Sequence, residues 1–348
     1  MYRIHMLPAY FGDSLLIEYG PGDGAKPKRI LIDAGTAESY PAVRKALEAI
    51  PKAERVFELL VVTHIDIDHI GGILPLLDDA KALGLKFKEI WFNGYEHLTD
   101  LLGPKQGEQL SARIVDGGYK WNARFDGRAV VVPDDGPLPR KDVAGMKITL
   151  LSPMRAQLLK LEKEWQKVIK AAGLVPGVGA KMPPEEIDDL LGDEAIDVES
   201  LATSKFKSDT SAPNGSSIAF VATYDGKSVL FGADAFPKVL AASLARMSEE
   251  ERKKVSIFKL PHHGSRNNLS SELLAELACG TFLVSSNGQR YSHPNKEAIA
   301  RIIHRGNKPR ILFNYRSEFN DFWDDAALKK QHKYSVKYGG DGGLTIDV

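Results

Sequence analysis

Residues 63–72 read Thr-His-Ile-Asp-Ile-Asp-His-Ile-Gly-Gly, and this segment constrains the fold more than any other part of the chain. Four side chains that bind divalent metals follow directly after the apolar segment 58–63: His64, Asp66, Asp68 and His69. In an extended chain alternate side chains point to the same side, so the first three share one side and the last joins them where the chain turns. Two imidazoles and two carboxylates this close together titrate unfavourably unless a cation organises them. The segment therefore predicts a metal site on a loop between a strand and a helix, the alternative being an exposed polar loop.

Around this loop, strand-like segments alternate with amphipathic ones. Short apolar segments bounded by Gly or Pro are typical of strands, which we predict at residues 14–19, 29–33, 58–63, 88–92, 129–132, 146–151, 217–223, 228–231, 255–260, 281–285, 310–314 and 344–348. Apolar residues at helical spacing predict helices at residues 40–50, 72–83, 101–113, 154–171, 271–278 and 296–303. Strands that alternate with helices are typical of layered α/β folds.

Between residues 154 and 213 this alternation stops. A Gly/Pro-rich hinge at residues 174–180 precedes an acidic segment, residues 185–199, which carries eight acidic side chains and no basic one. This stretch holds few apolar residues and has little from which to build a core of its own. We therefore predict a single domain over residues 1–348 with an insertion at residues 154–213.

The composition excludes several classes of protein. With 43% apolar and 26% charged residues, the chain is an ordinary globular protein rather than a disordered one. Its single cysteine, Cys279, excludes an internal disulfide and a Cys-rich zinc site. The apolar runs are shorter than the ~20 residues of a membrane helix, and the N-terminus lacks the apolar core of a signal peptide, which predicts a cytoplasmic protein without a membrane partner. The 46 basic and 46 acidic residues cancel, which argues against a basic nucleic-acid platform but not against a nuclease whose metal ions supply positive charge.

The motif His-x-Asp-x-Asp-His-x-Gly-Gly resembles the signature of the metallo-β-lactamase superfamily, whose usual form is His-x-His-x-Asp-His. The Asp in the second position is similar to the hydrolase domain of the ComEC competence proteins, which take up DNA. Further segments match that subgroup in the same order, at residues 12–17, 30–35, 214–217, 230–234, 259–265 and 290–294. The resemblance implies an α/β fold in the form of a four-layer αββα sandwich, with two mixed sheets, helices outside and metals at one edge.

The resemblance also implies a pair of divalent metal ions and the residues that hold them. Asp234 is the expected bridge between the ions, and His263 and His293 follow two further strand ends. The expected metal ligands are His64, Asp66, Asp68, His69, Asp234, His263 and His293. Asp68 is also expected to orient the attacking water, and a histidine of the His262–His263 pair to act as general acid, with the choice between the two left open. The catalytic candidates are therefore Asp68, His262 and His263.

The chain departs from the common superfamily pattern among the residues expected to hold the first of the two ions. Asn214, Ser216 and Ser217 stand where most of the superfamily has a further histidine, and Asp66 replaces another. Oxygen ligands favour Mn²⁺ or Mg²⁺, whereas imidazole suits Zn²⁺. We therefore expect a pair of ions that prefers Mn²⁺, with Zn²⁺ second and Mg²⁺ as a further candidate. The three polar side chains are candidate substrate-binding residues that donate hydrogen bonds to a phosphate oxygen, the alternative being that they simply begin a strand.

The function that the resemblance implies is metal-dependent hydrolysis of phosphodiester bonds in nucleic acid, with DNA as the first candidate and RNA as the second. Hydrolysis of a small ester, lactone or phosphodiester metabolite is the alternative, because a fold does not dictate the substrate. A third reading is a binding module without activity, against which the complete set of ligands argues.

The resemblance also suggests a regulatory protease as a partner, because related stand-alone domains are encoded beside proteases. The acidic segment 185–199 could cover a cleft that binds polyanions, and Lys205 and Lys207 offer cleavage sites in the polar segment that leads to Asn214. The alternative is a surface insertion that the fold tolerates.

Overall fold

Two β-sheets lie at the centre of the computed structural model, which describes residues 1–22, 24–94, 97, 105–171 and 196–348. The strands of the described chain are β1 (Tyr2–Met6), β2 (Leu15–Tyr19), β3 (Lys28–Ile32), β4 (Val56–Phe57), β5 (Leu59–Val61), β6 (Lys86–Phe87), β7 (Ile90–Trp91), β8 (Arg140–Val143), β9 (Met146–Ser152), β10 (Ala219–Tyr224), β11 (Lys227–Phe231), β12 (Val255–Lys259), β13 (Thr281–Val284), β14 (Arg310–Phe313), β15 (Ser335–Tyr338) and β16 (Leu344–Asp347). The α-helices are α1 (Tyr40–Glu48), α2 (Ile67–Ile70), α3 (Ile73–Leu83), α4 (Lys105–Asp116), α5 (Arg155–Ala171), α6 (Val198–Thr203), α7 (Ala212–Gly215), α8 (Pro237–Ala245), α9 (Glu249–Lys254), α10 (Ser271–Ala275), α11 (Lys296–His304) and α12 (Ala326–His332).

Both sheets are mixed, and their parallel strands place several chain ends at one edge. The first sheet has the order β16-β1-β2-β3-β5-β7, in which β3, β5 and β7 are parallel. The second has the order β15-β14-β13-β12-β11-β10-β9-β8, in which β11 to β15 are parallel. Because the carboxyl ends of parallel strands lie at the same edge of a sheet, the loops after β5, β11, β12 and β13 are available to build one site.

The alternation of side chains along the strands produces the layers. In β3, Ile30 and Ile32 belong to the core that both sheets share, together with Ile148 and Phe220 of the second sheet. Leu31 points the other way and belongs to a core with residues of α1, α3 and α4 on the outer face of the first sheet. This two-residue period is what a strand buried on both faces requires.

Helices also cover the outer face of the second sheet. Leu240 of α8, Leu273 of α10 and Ile299 of α11 are buried in the core to which the second sheet contributes. The order of layers is therefore helix, sheet, sheet, helix, and the predicted four-layer αββα sandwich is confirmed. Within the described residues, no helix is long and apolar enough to cross a membrane.

The prediction of a strand at residues 129–132 is wrong. Only Val132 pairs with another strand-like residue, through an isolated bridge to Met154. The backbone of Val130 is held instead by the side chain of Asn93, which accepts from its N–H at 2.8 Å and donates to its carbonyl at 2.9 Å. A side-chain amide thus takes the place of a neighbouring strand. The β-branched residues of this segment do not by themselves predict such a contact.

The described ends of the predicted insertion pack into the cores of the fold. Leu158 and Leu161 of α5 are buried with the outer core of the first sheet, and Val198 and Ala202 of α6 with the core to which the second sheet contributes, where α6 packs on α11. The predicted hinge at 174–180 and most of the acidic segment, together with residues 101–104 of a predicted helix, lie outside the described residues. The insertion boundaries stay a prediction.

Candidate metal centre

The His64–His69 loop follows the central part of the first sheet. Strand β5 ends at Val61, and Thr63 then donates its backbone N–H to the carboxylate of Asp33 at 2.8 Å. Asp66 has an extended backbone and precedes α2, whose first turn carries Asp68 and His69. Because this strand is buried on both sides, its end fixes the base of the loop.

Two strand ends of the second sheet face this loop. Asp234 follows β11, and the pair His262–His263 follows β12. Three non-glycine residues in these two loops have a left-handed backbone, with φ of 45° at Ala233, 47° at His262 and 55° at His263. Such conformations cost energy and tend to occur at functional sites, where the surrounding structure holds them.

Asp234 lies between two imidazoles of the loop. Its Oδ2 is 3.7 Å from His64 Nε2, and its Oδ1 is 3.4 Å from His69 Nε2. The three side chains together form a group that could hold a metal ion. Asp66 Oδ2 is 3.5 Å from the same His64 Nε2, so the first expected ion has its predicted ligands close together.

A second group shares His69 with the first. His263 Nε2 is 3.3 Å from Asp68 Oδ2 and 3.2 Å from His69 Nε2, and these three residues also form a group that could hold an ion. Asp234 Oδ2 lies 3.8 Å from His263 Nε2. One carboxylate therefore borders both groups, as a residue that bridges two ions must.

The chemistry of these side chains fits a pair of divalent cations. His64 Nε2 and Asp234 Oδ1 are buried without a hydrogen-bond partner in the part of the chain that the structure describes. Burial alone would lower the pKa of His263, but Asp234 and Asp13 outweigh it and raise that pKa to about 9. Burial would likewise raise the pKa of Asp68, but His69 and His263 lower it to about 2. The carboxylates thus create a negative potential that attracts positive charge, and the unpaired nitrogen and oxygen are atoms that a metal ion would satisfy.

Hydrogen-bond acceptors around the centre orient the imidazoles so that their Nε2 atoms point inward. Asp33 Oδ2 is 2.8 Å from His69 Nδ1, and the carbonyl oxygen of Ser285 is 2.9 Å from His263 Nδ1, with Asp13 Oδ1 at 3.4 Å. A partner on Nδ1 fixes the ring orientation and leaves Nε2 free for a metal. Sequence reasoning assigned no role to Asp13 or Asp33, although both lie in segments that match the superfamily.

His262 has a different environment from its neighbour. Its Nδ1 lies 2.9 Å from Asn268 Oδ1 and 3.6 Å from Asp209 Oδ2, while its Nε2 is 3.7 Å from Asp234 Oδ2. Burial lowers the pKa of His262, but Asp234 and Asp209 outweigh it and raise that pKa to about 10. His262 belongs to neither three-residue group, which distinguishes it from His263 among the described residues.

Asp209 is a further residue beside the centre to which sequence reasoning assigned no role. Its carboxylate accepts hydrogen bonds from Asn214 Nδ2 at 2.7 Å, Asn268 Nδ2 at 2.9 Å and the backbone N–H of Ser211 at 2.8 Å. It therefore stands fixed beside His262. No motif surrounds Asp209, and the only signal in the sequence is its place five residues before Asn214.

His293 lies beside the other histidines rather than inside either group. Its ring centroid is 5.0 Å from that of His262 and 6.3 Å from that of His263. Burial lowers its pKa, and the positive charges of those two neighbours lower it further. The structure thus brings His293 to the centre, while its predicted role as a ligand stays a prediction.

The three candidate substrate-binding residues precede the strand β10: Asn214 lies in α7, and Ser216 and Ser217 follow that helix. The Ser217 hydroxyl accepts the backbone N–H of Asp234 at 3.2 Å, and the Ser216 hydroxyl donates to the carbonyl of Pro213 at 2.6 Å. Both side chains are buried and already bonded, so Ser217 positions Asp234. Asn214 lies beside His262, with 3.4 Å between Nδ2 and Nδ1. Substrate binding by these three residues stays a prediction.

The fold and this centre define a family. A family model described as the metallo-beta-lactamase superfamily matches residues 8–286. The chain therefore belongs to the metallo-β-lactamase superfamily, most of whose members are metal-dependent hydrolases.

Comparison with solved structures gives remote likenesses. The metallo-beta-lactamase fold protein YhfI from Bacillus subtilis is 13% identical, with a TM-score of 0.42 and 100% of both chains covered. The Zn²⁺-bound PqqB from Methylobacterium extorquens is 12% identical, with a TM-score of 0.43, 99% of this chain and 100% of that chain covered. A diphosphatase of the PhnP family is 12% identical, with a TM-score of 0.39, 97% of this chain and 83% of that chain covered. The comparison with curated protein sequences gives no match. Substrates and metals named for these proteins do not transfer to this chain at such distances.

Proposed function

We propose that this chain is a metal-dependent phosphodiesterase that cleaves nucleic acid, with DNA as the first candidate substrate and RNA as the second. The observation that carries the proposal is the carboxylate of Asp234, which lies 3.7 Å from His64 Nε2 and 3.4 Å from His69 Nε2 and also borders the group around His263. A carboxylate shared by two ligand groups is the arrangement of a two-metal hydrolase. The resemblance to ComEC hydrolase domains supports a nucleic-acid substrate.

The residues divide into two sets of ligands. His64 and Asp66 would hold the first ion, and Asp68, His69 and His263 the second, with Asp234 between them and His293 nearby. When bound, a pair of divalent cations lowers the pKa of water to about 7 and stabilises negative charge on a phosphoryl oxygen. Asp66 makes the first set rich in oxygen, so we propose a preference for Mn²⁺ over Zn²⁺, with Mg²⁺ as a further candidate.

Two side chains of the centre have roles beyond metal binding in this proposal. His262 is the proton donor to the leaving oxygen, because its Nε2 faces the centre while Asp209 and Asn268 hold its Nδ1. Asp68 orients the attacking water, since its carboxylate is fixed beside His263. Asn214, at the border of His262, is the first of the proposed substrate contacts.

The test uses metal-depleted protein with labelled single-stranded DNA, duplex DNA and RNA. We expect cleavage to return on addition of Mn²⁺ and to disappear in Asp68→Asn, while the matched control Asp78→Asn, an exposed aspartate paired with Arg113, keeps it. Restoration by Zn²⁺ but not by Mn²⁺ contradicts the metal preference. Cleavage that survives Asp68→Asn means that a contaminating nuclease is responsible, and absence of cleavage with every metal and strand contradicts the proposed function.

A second candidate is hydrolysis of a small ester, lactone or phosphodiester metabolite. The observation that favours it is the formal net charge of +0, because a chain without excess basic residues attracts a polyanion weakly. The same metal-restored protein, incubated with p-nitrophenyl acetate and bis(p-nitrophenyl) phosphate, separates the two candidates. Turnover of the small esters without cleavage of any strand supports this second function.

A further inference from the structure

An arginine that lies over two adjacent aromatic rings stands at the border of the candidate metal centre. The guanidinium carbon of Arg290 is 5.4 Å from the ring centroid of Phe11 and 5.2 Å from that of Tyr291. The two rings meet edge to face, with centroids 5.9 Å apart. Arg290 is exposed and both rings are partly buried. We call Phe11, Arg290 and Tyr291 the arginine–aromatic rim.

The rim is joined to the metal centre from two sides. On one side, the Tyr291 ring centroid is 5.9 Å from that of His293. On the other side, Gly12 follows Phe11 and packs closely on the His64–His69 loop. A Cβ atom at Gly12 would lie 1.8 Å from the carbonyl oxygen of Asp68. A ligand that reaches the rim therefore also borders the residues proposed to hold the ions.

The charge of Arg290 is not neutralised by a neighbouring carboxylate in the described chain. Arg3, Arg113 and Arg140 each pair with an acidic side chain, but no ion pair to Arg290 is present among the described residues. Contact with two rings restricts the guanidinium, whose N–H groups can still donate to an anion. A positive group held in this way beside a centre rich in carboxylates is suited to a phosphate that must approach that centre.

Aromatic rings beside a fixed arginine also match the chemistry of a nucleotide. Single-stranded nucleic acids bind through base stacking on aromatic side chains combined with contacts from basic residues to the backbone. The neighbouring Tyr10 adds a further aromatic side chain, 40% exposed, to the same segment. A small ester or lactone would offer no phosphate for Arg290 and no base for the rings.

We propose that the arginine–aromatic rim binds a nucleotide of a single-stranded polynucleotide next to the scissile phosphodiester. Arg290 contacts its phosphate, and Phe11 and Tyr291 contact its base. This inference rests on the proposed function for the identity of the substrate, but the binding that it describes can be measured without cleavage.

The experiment measures binding of fluorescein-labelled oligothymidine of about 12 nucleotides, within the site sizes of single-strand binders. Anisotropy is recorded in EDTA at constant salt, for the wild type, Arg290→Gln and Tyr291→Leu. Arg3→Gln is the matched control, since Arg3 is an exposed arginine at the start of β1, remote from the strand ends that build the centre. An abasic strand of the same length, which keeps the phosphates, separates stacking from charge. Thermal unfolding verifies that each variant is folded.

We expect Arg290→Gln to weaken binding of both strands about tenfold and Tyr291→Leu to weaken binding of oligothymidine alone about fivefold, in line with one lost phosphate contact and one lost stacking contact. With Mn²⁺, Arg290→Gln should raise the KM for the oligonucleotide, whereas the control Arg3→Gln should leave this KM unchanged. Variants that bind like Arg3→Gln, or a wild type that does not bind the strand, overturn the inference. Binding through the rim without cleavage by any metal contradicts the proposed function alone, so the two failures are distinguishable.

Discussion

Single carboxylates outside the expected ligand set hold the histidines of the candidate centre in place. Asp33 faces His69 Nδ1 at 2.8 Å. Asn268 Oδ1 lies 2.9 Å from His262 Nδ1, and the carboxylate of Asp209 accepts from the amide of Asn268 at 2.9 Å. An acceptor on Nδ1 fixes the tautomer and aims Nε2, so the geometry of the centre depends on residues that need not touch a metal.

Asp209→Asn is expected to lower kcat about 10–100-fold, the usual cost of losing an orienting carboxylate. The physical reason is that an amide replaces the negative charge beside His262 and disturbs the bonds from Asn214 and Asn268. The measurement is kcat and KM with Mn²⁺, together with bound metal per protein by elemental analysis, which should not change.

The control is Asp197→Asn, because Asp197 caps α6 near the surface and asparagine caps helices equally well. An equal loss of kcat in both variants, or a loss of bound metal in Asp209→Asn, contradicts a positioning role for Asp209.

Sequence reasoning named the candidate ligands that stand in a compact run of metal-binding side chains, and it assigned no role to Asp13, Asp33 or Asp209. The six-residue run from His64 to His69 combines four ligand side chains after a strand, which few other local structures require. Asp209 reaches His262 across 53 positions of the chain, and nothing in its neighbours predicts that contact. The proposed assignment of His262 as acid and His263 as ligand rests on their contacts in the folded chain, because adjacent histidines cannot be distinguished in the sequence.

At the scale of the elements, the passage from β5 into the helices α2 and α3 depends on close packing at Gly72. A Cβ atom at this position would lie 2.1 Å from the carbonyl oxygen of Ala34. The backbone N–H of Gly72 also donates to the carbonyl of Gly35 at 2.9 Å. The end of β3 and the metal-binding loop therefore approach each other as closely as only glycine allows.

Gly72→Ala is expected to lower the free energy of unfolding by about 1–3 kcal/mol, the usual cost of an added methyl group in a packed region. Urea denaturation measures the difference. Gly280→Ala is the matched control, because no atom lies within 4 Å of a Cβ there, and it should change stability by less than about 0.5 kcal/mol. A Gly72→Ala protein as stable as this control shows that the contact can relax without cost.

The predicted insertion offers a defined site for a protease. Lys205 and Lys207 are exposed, and Phe206 between them packs against the guanidinium of Arg301 at 5.3 Å. Brief trypsin digestion should cut after these lysines, which mass spectrometry would identify. If the insertion covers the cleft, nuclease activity rises after the cut. Unchanged activity contradicts regulation by proteolysis and leaves a tolerated surface insertion.

Elements whose apolar residues recur at a regular spacing were predicted well. Segments whose structure depends on contacts with distant residues were not. The predicted strand at 29–33 corresponds to Lys28–Ile32, and the predicted helix at 40–50 to Tyr40–Glu48. In both segments, the spacing of apolar residues in the sequence predicts which side chains are buried. The strand predicted at 129–132 fails because the Asn93 side chain bonds the backbone of Val130, a contact that only the folded chain brings about.

At the scale of the whole molecule, one buried ion pair connects the two sheets beneath the candidate centre. Lys259, in β12 of the second sheet, donates to the carboxylate of Asp13 at 2.7 Å, just before β2 of the first. Lys259 is 0% exposed, and Asp13 also contacts His263. The Lys259–Asp13 ion pair therefore fixes the distance between the two sheets that contribute residues to the centre.

Lys259→Met is expected to lower the free energy of unfolding by about 3–5 kcal/mol, because it leaves the charge of Asp13 buried without its partner. Urea denaturation in EDTA measures this difference without a contribution from metal binding. Lys253→Met, which removes an exposed pair with Glu249, is the control and should cost less than about 1 kcal/mol. The double variant Lys259→Met with Asp13→Leu should recover part of the loss, and a single variant as stable as the control contradicts the argument.

The division of the ligands between two sheets also sets an order of events when the chain is made. A ribosome releases His64 to His69 early, but Asp234 and His263 emerge only after most of the remaining chain has been synthesised. Until then the synthesised part of the chain carries only some of the proposed metal ligands, and the first sheet still lacks β16. Binding of the proposed pair of ions therefore requires that the two sheets have already packed together.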